Sequence, residues 1–185
     1  MSATVIATGL TYDDIKDRPE EVRQLVDGEL IVTPSPNTRH QRVALWLAAR
    51  FHFYAHDHPG EAFVAPFDVR LDDRNVFQPD VLYLRDPADR LTDALVDGPP
   101  DLVIEVSSPS TRRLDLVRKR RHYEAHGVPE FWFVDLDADR VAVYRLTDGR
   151  YTEPTFAERG DVLTALATPD LALDVDALLG EPRSG

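Results

Sequence analysis

An α/β (α+β) chain with a mixed central β-sheet flanked by helices is the fold class that the 185-residue sequence predicts, and three observations carry it. The runs DLVIEVS (101–107) and VPEFWFVDL (128–136) are almost continuously apolar, the pattern of strands covered on both faces. Segments with helical spacing precede and separate these strands, the alternation that builds helices onto a sheet. Asp-Gly dipeptides inside short alternating runs place hairpins toward either end.

Taken in order, Thr11-Tyr12-Asp13-Asp14 reads as an N-cap with an acidic partner three residues on, opening a short helix that Pro19 ends. VRQLVDGELIV (22–32) then predicts a hairpin with a type I′ turn at Asp27-Gly28. From about Asn37, Val43, Trp46, Leu47, Phe51 and Tyr54 recur at helical spacing, so a long amphipathic helix should run to Pro59-Gly60. Strands follow near 63–71, 76–84 and 101–107, the first two able to form a meander. A second helix is expected over 112–126 with Gly127 at C′, then a strand near 130–136 and a hairpin around Asp148-Gly149. The tail offers only LDVDALL, a short helical turn. Length favours one compact domain over 1–185, with a helix and hairpin at 11–34 before the core and a hairpin and tail at 140–185 after it.

Composition bounds the function. With no cysteine, disulfides and thiolate metal sites are excluded, which fits a reducing cytoplasm. The N-terminus lacks the apolar stretch of a signal peptide, and no run approaches the roughly 20 apolar residues of a membrane span, so a cytoplasmic protein without a membrane partner is expected. The net charge of −12 gives no basic footprint for nucleic acid overall. RRLDLVRKRR (112–121) departs from this, with six basic side chains against one acidic. A solvated helix face and a phosphate-facing patch both account for it.

Two acids stand where strands should be apolar. Glu105 interrupts Leu102, Val103, Ile104 and Val106, and Asp80 follows Pro79 at the mouth of VLYL. A charge in such a strand is costly unless something pairs with it. If the two strands are neighbours, the acids converge at one sheet end, where a hard divalent ion with oxygen ligands, Mg²⁺ rather than zinc, relieves their repulsion. The plainer reading has Asp80 capping a turn and Glu105 paired with an arginine such as Arg113. Lysine is rare, Lys16 and Lys119 against 19 arginines, so the lysine inside the basic run invites a role for a compact ammonium. On helical geometry Lys119 and Arg120 flank the Leu116–Tyr123 line about equally, and spacing does not choose between them. His122 and His126, and the cluster His52, His56 and His58, have spacings that zinc could use but lack the cysteine or acidic partners of a known motif.

Pro79-Asp80, then PDLVIEVSSPSTRR, then a lysine-bearing helix ending in YEAHGVPEFWFVD together resemble the Uma family of restriction endonucleases, within the PD-(D/E)xK nuclease superfamily. VDGELIV, SPNTRHQRV and PFDVRLDD extend the resemblance over most of the chain. It implies a restriction-endonuclease-like core over about 37–146. It also implies Mg²⁺ (Mn²⁺ as an alternative) bound by Asp80 and Glu105 with help from the Val106 carbonyl, and a lysine that orients or activates water. The superfamily pattern places that lysine two residues after the glutamate, where this chain has Ser107; the resemblance moves the role to Lys119. Glu29 and His40 match recurrent family positions and join Ser107 as auxiliary candidates. Arg112, Arg113, Arg118, Arg120 and Arg121 become candidate contacts to the DNA backbone, and a homodimer is expected because paired cuts need two sites. The expected function is a metal-dependent DNA endonuclease. A nuclease-fold binding module without activity is the alternative, and a metal-free glycosidase-like use of the two acids is a further rival.

Overall fold

The structure is a computed structural model that describes residues 3–17 and 23–181. The Pro19 stop expected for the first helix lies outside the described residues. Strand β1 (Thr4–Ala7) leads to the one-turn helix α1 (Tyr12–Ile15), opened by the Thr11/Asp14 capping box. β2 (Arg23–Val26) and β3 (Glu29–Val32) form the first hairpin. Its turn has φ of 56° at Asp27 and 78° at Gly28, the two left-handed residues that a type I′ turn needs. Helix α2 (Thr38–Asp57) begins at Asn37, whose side chain accepts from the His40 N–H at 3.0 Å.

After α2 the chain makes a feature that periodicity did not show. The expected strand at 63–71 is two strands, β4 (Glu61–Val64) and β5 (Asp68–Asp72), and the one at 76–84 is likewise β6 (Asn75–Phe77) and β7 (Val81–Leu84). Pro66 and Pro79 stand at the two breaks, each without an N–H to offer a ladder. The expected meander is therefore present but divided: β4 pairs with β7 in one sheet and β5 with β6 in another, all antiparallel. β8 (Leu95–Asp97) follows, too short to be read from sequence, and then β9 (Leu102–Val106).

The second helix occupies the expected span, but its first part, Leu114–Lys119, is π-helical before it continues as α3 (Arg120–Ala125). Gly127 ends it at φ 81°. β10 (Glu130–Asp135), β11 (Arg140–Thr147) and β12 (Arg150–Tyr151) match the expected strand and hairpin. The tail holds more than a helical turn: β13 (Thr155–Glu158), β14 (Val162–Ala165) and β15 (Thr168–Asp174) precede α4 (Val175–Leu179). Their alternation of buried and exposed residues is short and diluted by charge, so no apolar run announced them.

Three sheets result among the described residues. One has the order β1-β3-β2-β6-β5-β8; the second runs β12-β11-β10-β9-β7-β4 with β13 also on β11; β14 and β15 make a ribbon. β9 and β10 are parallel and joined through α3, whereas β7 is antiparallel to β9. The second sheet is covered on both faces. Leu102, Ile104 and Val106 of β9, with Trp132 and Val134 of β10, face Val43, Leu47 and Phe51 of α2. Val103, Phe131 and Phe133 face Leu114 and Tyr123. By the two-residue period of a strand, Glu105 shares the face of Val103 and so points toward the α3 side.

Two local constraints hold this frame. At Gly60, φ is 127° and a Cβ would collide with the Tyr83 hydroxyl and the Leu84 carbonyl, so β4 can lie against β7 only with glycine there. Asp139 accepts from Arg39 of α2 and, at 3.1 Å, from Arg159, which also bonds Asp176 and the Gly180 carbonyl near α4. Burial pulls the Asp139 carboxyl upward, but the two guanidinium groups outweigh it and hold the group below the usual carboxylate range.

Gly60→Ala is expected to lower unfolding free energy by at least about 2 kcal/mol, read as a lower denaturant midpoint at unchanged slope. For Asp139 the depressed value means its stabilisation is complete above the unfolded carboxyl pKa of about 3.9 and is lost as pH falls through the folded value. Asp139→Asn keeps a residue that tolerates the left-handed turn. It should be less stable than the parent by about 1 kcal/mol at pH 7, and in denaturation curves taken at falling pH the gap should begin to narrow near the unfolded value and close only below the depressed folded one.

Candidate active site

The antiparallel register of β7 and β9 pairs Val81 with Ile104. Continuing it by one residue sets Asp80 opposite Glu105, and both line a single cavity of about 170 Å³ at that end of the sheet. The same cavity is lined by His40, Asp115 and Lys119. Four elements thus deliver the group: the ends of β7 and β9, the N-terminal turn of α2, and the π-helical turn before α3.

Glu105 is 2 % exposed and Lys119 is 1 % exposed. The Lys119 ammonium donates to Glu105 Oε1 at 2.8 Å and lies 3.1 Å from Asp115 Oδ1. The Tyr123 hydroxyl donates to the same Glu105 Oε1 at 2.7 Å. Thus the cation facing Glu105 is Lys119 rather than Arg113. Arg120 points away, its Nε bonded to the Leu116 carbonyl and its guanidinium 5.0 Å from the Tyr144 ring centroid. The widened i→i+5 turn brings Asp115, Lys119 and Tyr123, four residues apart in succession, onto one face. Regular helical geometry left Lys119 and Arg120 equivalent, and the π turn removes that equivalence.

Asp80 is more open, its side chain 19 % exposed. Its Oδ2 accepts from the Val106 N–H at 2.7 Å and faces His40 Nε2 at 3.1 Å. Among the described residues no hydrogen bond is made to Asp80 Oδ1 or Glu105 Oε2, so each carboxylate keeps one oxygen uncommitted.

The charges do not balance. Three carboxylates face one ammonium and one imidazole, and their pKa values respond. Burial pushes Glu105 up to about 8 against the pull of Lys119, with Asp115 and Asp80 adding to the rise. Asp115 is also raised by burial, again opposed by Lys119. Burial opposes the charge on Lys119, but Asp115 and Glu105 outweigh it and raise the ammonium above its ordinary value. The same balance raises His40, where burial is outweighed chiefly by Asp80. Lys119 is therefore firmly charged, while Glu105 and Asp115 are both held back from ionising and, lying close to one ammonium, titrate as a pair.

The other candidates lie in varied places. Ser107 is buried, and its Oγ accepts from the Leu136 N–H at 2.8 Å while its own N–H donates to the Val134 carbonyl. The position two residues after the glutamate is thus used to fasten β9 to the end of β10. Glu29 lies outside the cavity wall and accepts from Arg118 at 2.7 Å; Arg118 also bonds Asp27 and the Val26 carbonyl. Arg112 makes a bidentate pair with Asp135 at 2.7 and 2.6 Å. Arg113 and Arg121 are exposed on the helix. His122 and His126 each face an aspartate, Asp27 and Asp72, at 2.8 and 2.9 Å. His52 and His58 are exposed, as is His56, which pairs with Asp57. Among the described residues no three His, Asp or Glu side chains gather as a ready-made metal cage.

Asp115 and Tyr123 were not singled out from sequence. Asp115 had a signal: it is the one acid in the basic run, four residues before Lys119. Tyr123 had none beyond its apolar spacing, because its hydroxyl becomes a partner of Glu105 only through the fold.

Known proteins can be set against this geometry. No curated protein matches the chain. A crystal structure described as a putative nuclease belonging to DUF820, from Anabaena variabilis ATCC 29413, is similar with a TM-score of 0.77 at 20% identity, covering 92% of this chain and 97% of that chain. At that identity the likeness shows a shared fold. The family model Uma2, described as "Putative restriction endonuclease", matches residues 11–176, and with nearly the whole chain inside that match, the protein belongs to this family.

Proposed function

We propose that the protein is a metal-dependent endonuclease that hydrolyses DNA phosphodiester bonds. The observation that carries the reading is the convergence of Asp80, Glu105 and Lys119 at one cavity. Membership of a family of restriction endonucleases supports the same class.

The donor set fits a hard divalent cation. Asp80 and Glu105 offer oxygen ligands, the cavity gathers three carboxylates against one ammonium and one imidazole, and Mg²⁺ commonly takes only one or two carboxylates and completes its shell with water and substrate phosphate. Asp80 and Glu105, with the Val106 carbonyl beside them, would hold Mg²⁺ or Mn²⁺. When bound, such an ion stabilises negative charge developing at phosphorus. Lys119, kept charged by its two acids, acts as a donor: it can hold the attacking water or a phosphate oxygen, and it is not placed to take a proton. Asp115 holds the ammonium whether or not Glu105 is engaged elsewhere, and Tyr123 fixes the Glu105 carboxylate. His40 orients Asp80 from the α2 side. DNA is the substrate class this reading assigns.

Cleavage of supercoiled plasmid with Mg²⁺ or Mn²⁺ tests the reading. Asp80→Asn and Lys119→Ala should each reduce the rate by at least about 100-fold. Lys119→Ala also leaves two buried acids without their ammonium, at a cost of about 3–5 kcal/mol, so circular dichroism is recorded for each variant. In thermal unfolding, Mn²⁺ at 100 times its Kd should stabilise the parent by about 2.7 kcal/mol, and Asp80→Asn should lose most of that gain. A parent protein that cuts nothing and gains no stability from either metal would leave a nuclease-fold binding module as the function.

A further inference from the structure

The burial of Glu105, Asp115 and Lys119 bears on which form of DNA could reach them. Glu105, Asp115 and Lys119 lie at the base of a cavity of about 170 Å³. That is close to the roughly 150 Å³ void that accepts a benzene molecule, room for one phosphodiester group or one base with a few waters. Pro34 and Pro36, just before α2, and Pro66, between β4 and β5, form part of its wall. A phosphate on an intact duplex is carried on a stiff rod and descends past such walls to a buried ammonium only where the pairing opens, as it does locally in supercoiled DNA. A single strand bends at every nucleotide and needs no such opening.

The lining points the same way. Among the described residues Lys119 is the one Lys or Arg at the cavity, and its charge is met by Glu105 and Asp115. Of the arginines on the nearby helix, Arg112 and Arg118 are held by Asp135 and by Asp27 and Glu29, and the exposed Arg113 and Arg121 do not line the cavity. In place of cations the wall presents neutral hydrogen-bonding groups, including Gln24, Gln41 and Gln78. The Gln78 Oε1 atom is buried without a partner, while its Nε2 donates to Asp68 at 2.8 Å. Such an acceptor suits the amino group of an exposed base, an edge that pairing hides in a duplex.

We propose that the substrate of this site is unpaired DNA, one nucleotide of which enters the cavity and is read by neutral side chains while its phosphate meets Lys119. This rests on the nuclease reading above and narrows it. In the reaction, a water oxygen bonds to phosphorus and one P–O ester bond breaks. The departing oxygen takes a proton, leaving a phosphate monoester and a hydroxyl. An extruded duplex nucleotide must first be unstacked and unpaired, which a single strand is spared. No second active site is needed for such a cut.

The test is cleavage of one end-labelled 30-nucleotide DNA strand with Mn²⁺, alone and annealed to its full complement, with Asp80→Asn as the control for contaminating nuclease. The expected result is at least tenfold faster cutting of the single strand. Equal or faster cutting of the duplex overturns the substrate assignment while leaving the nuclease reading intact. If the parent cuts neither form above the Asp80→Asn control, the nuclease reading fails and the assignment falls with it.

Discussion

A carboxylate placed inside a two-faced strand sets the terms for everything around it. Glu105 cannot be left alone in that environment, since an unpaired buried charge costs several kcal/mol. The protein answers with an ammonium and a hydroxyl on the same oxygen, both from the helix that follows the strand. The ammonium is itself buried and needs the second acid, Asp115, to hold it. Each addition requires the next, and the chain of requirements fixes how the helix lies on the sheet. The π-helical turn is the backbone's part in this: it places Asp115, Lys119 and Tyr123 against the strand while Leu114 still reaches the apolar cluster.

The division of the meander at Pro66 and Pro79 does the complementary work. Because β6 and β7 belong to different sheets, the chain between them leaves one ladder and enters another, and Asp80 stands at the start of β7, where its carbonyl accepts from the Ala65 N–H at 3.2 Å. Had the strand run on unbroken, that carboxylate would have faced a neighbouring strand along its whole length. Instead its Oδ2 meets the Val106 N–H and the His40 ring. Pro79 thus stands at the break before Asp80, and Pro66 at the other break lines the cavity.

Much of this was legible in the sequence, and what was not has identifiable causes. The hairpin at Asp27-Gly28, helix α2, the apolar strands β9 and β10 and the helix between them follow from turn chemistry and from strong periodicity. The pairing of Asp80 and Glu105 on neighbouring strands could be posed as a condition before the register was known. The choice of Lys119 over Arg120 could not be made, because it depends on a π turn that no local propensity signals. The split strands were read as single ones because an apolar run interrupted by one proline looks continuous to a two-residue period. Strands β13 to β15 escaped because packing against β11 and α4 stabilises them more than their own composition does. Arg112 and Arg118 looked free in a basic run; their acidic partners come from positions far along the chain.

Ser107 carries a consequence for how such sites can vary. An ammonium has to arrive at one point in space, and the sequence position it comes from is secondary. Here the helix brings the ammonium to Glu105, and the strand position two residues past the glutamate has no part in that contact. It serves architecture, with the serine hydroxyl fastening the start of the Leu136 turn. A lysine placed at 107 would sever that fastening and crowd a second cation into a space already filled. A position with such a structural duty is not free to take the ammonium's part, whatever acids stand beside it: the hydroxyl that looks idle in the sequence is a joint between two strands.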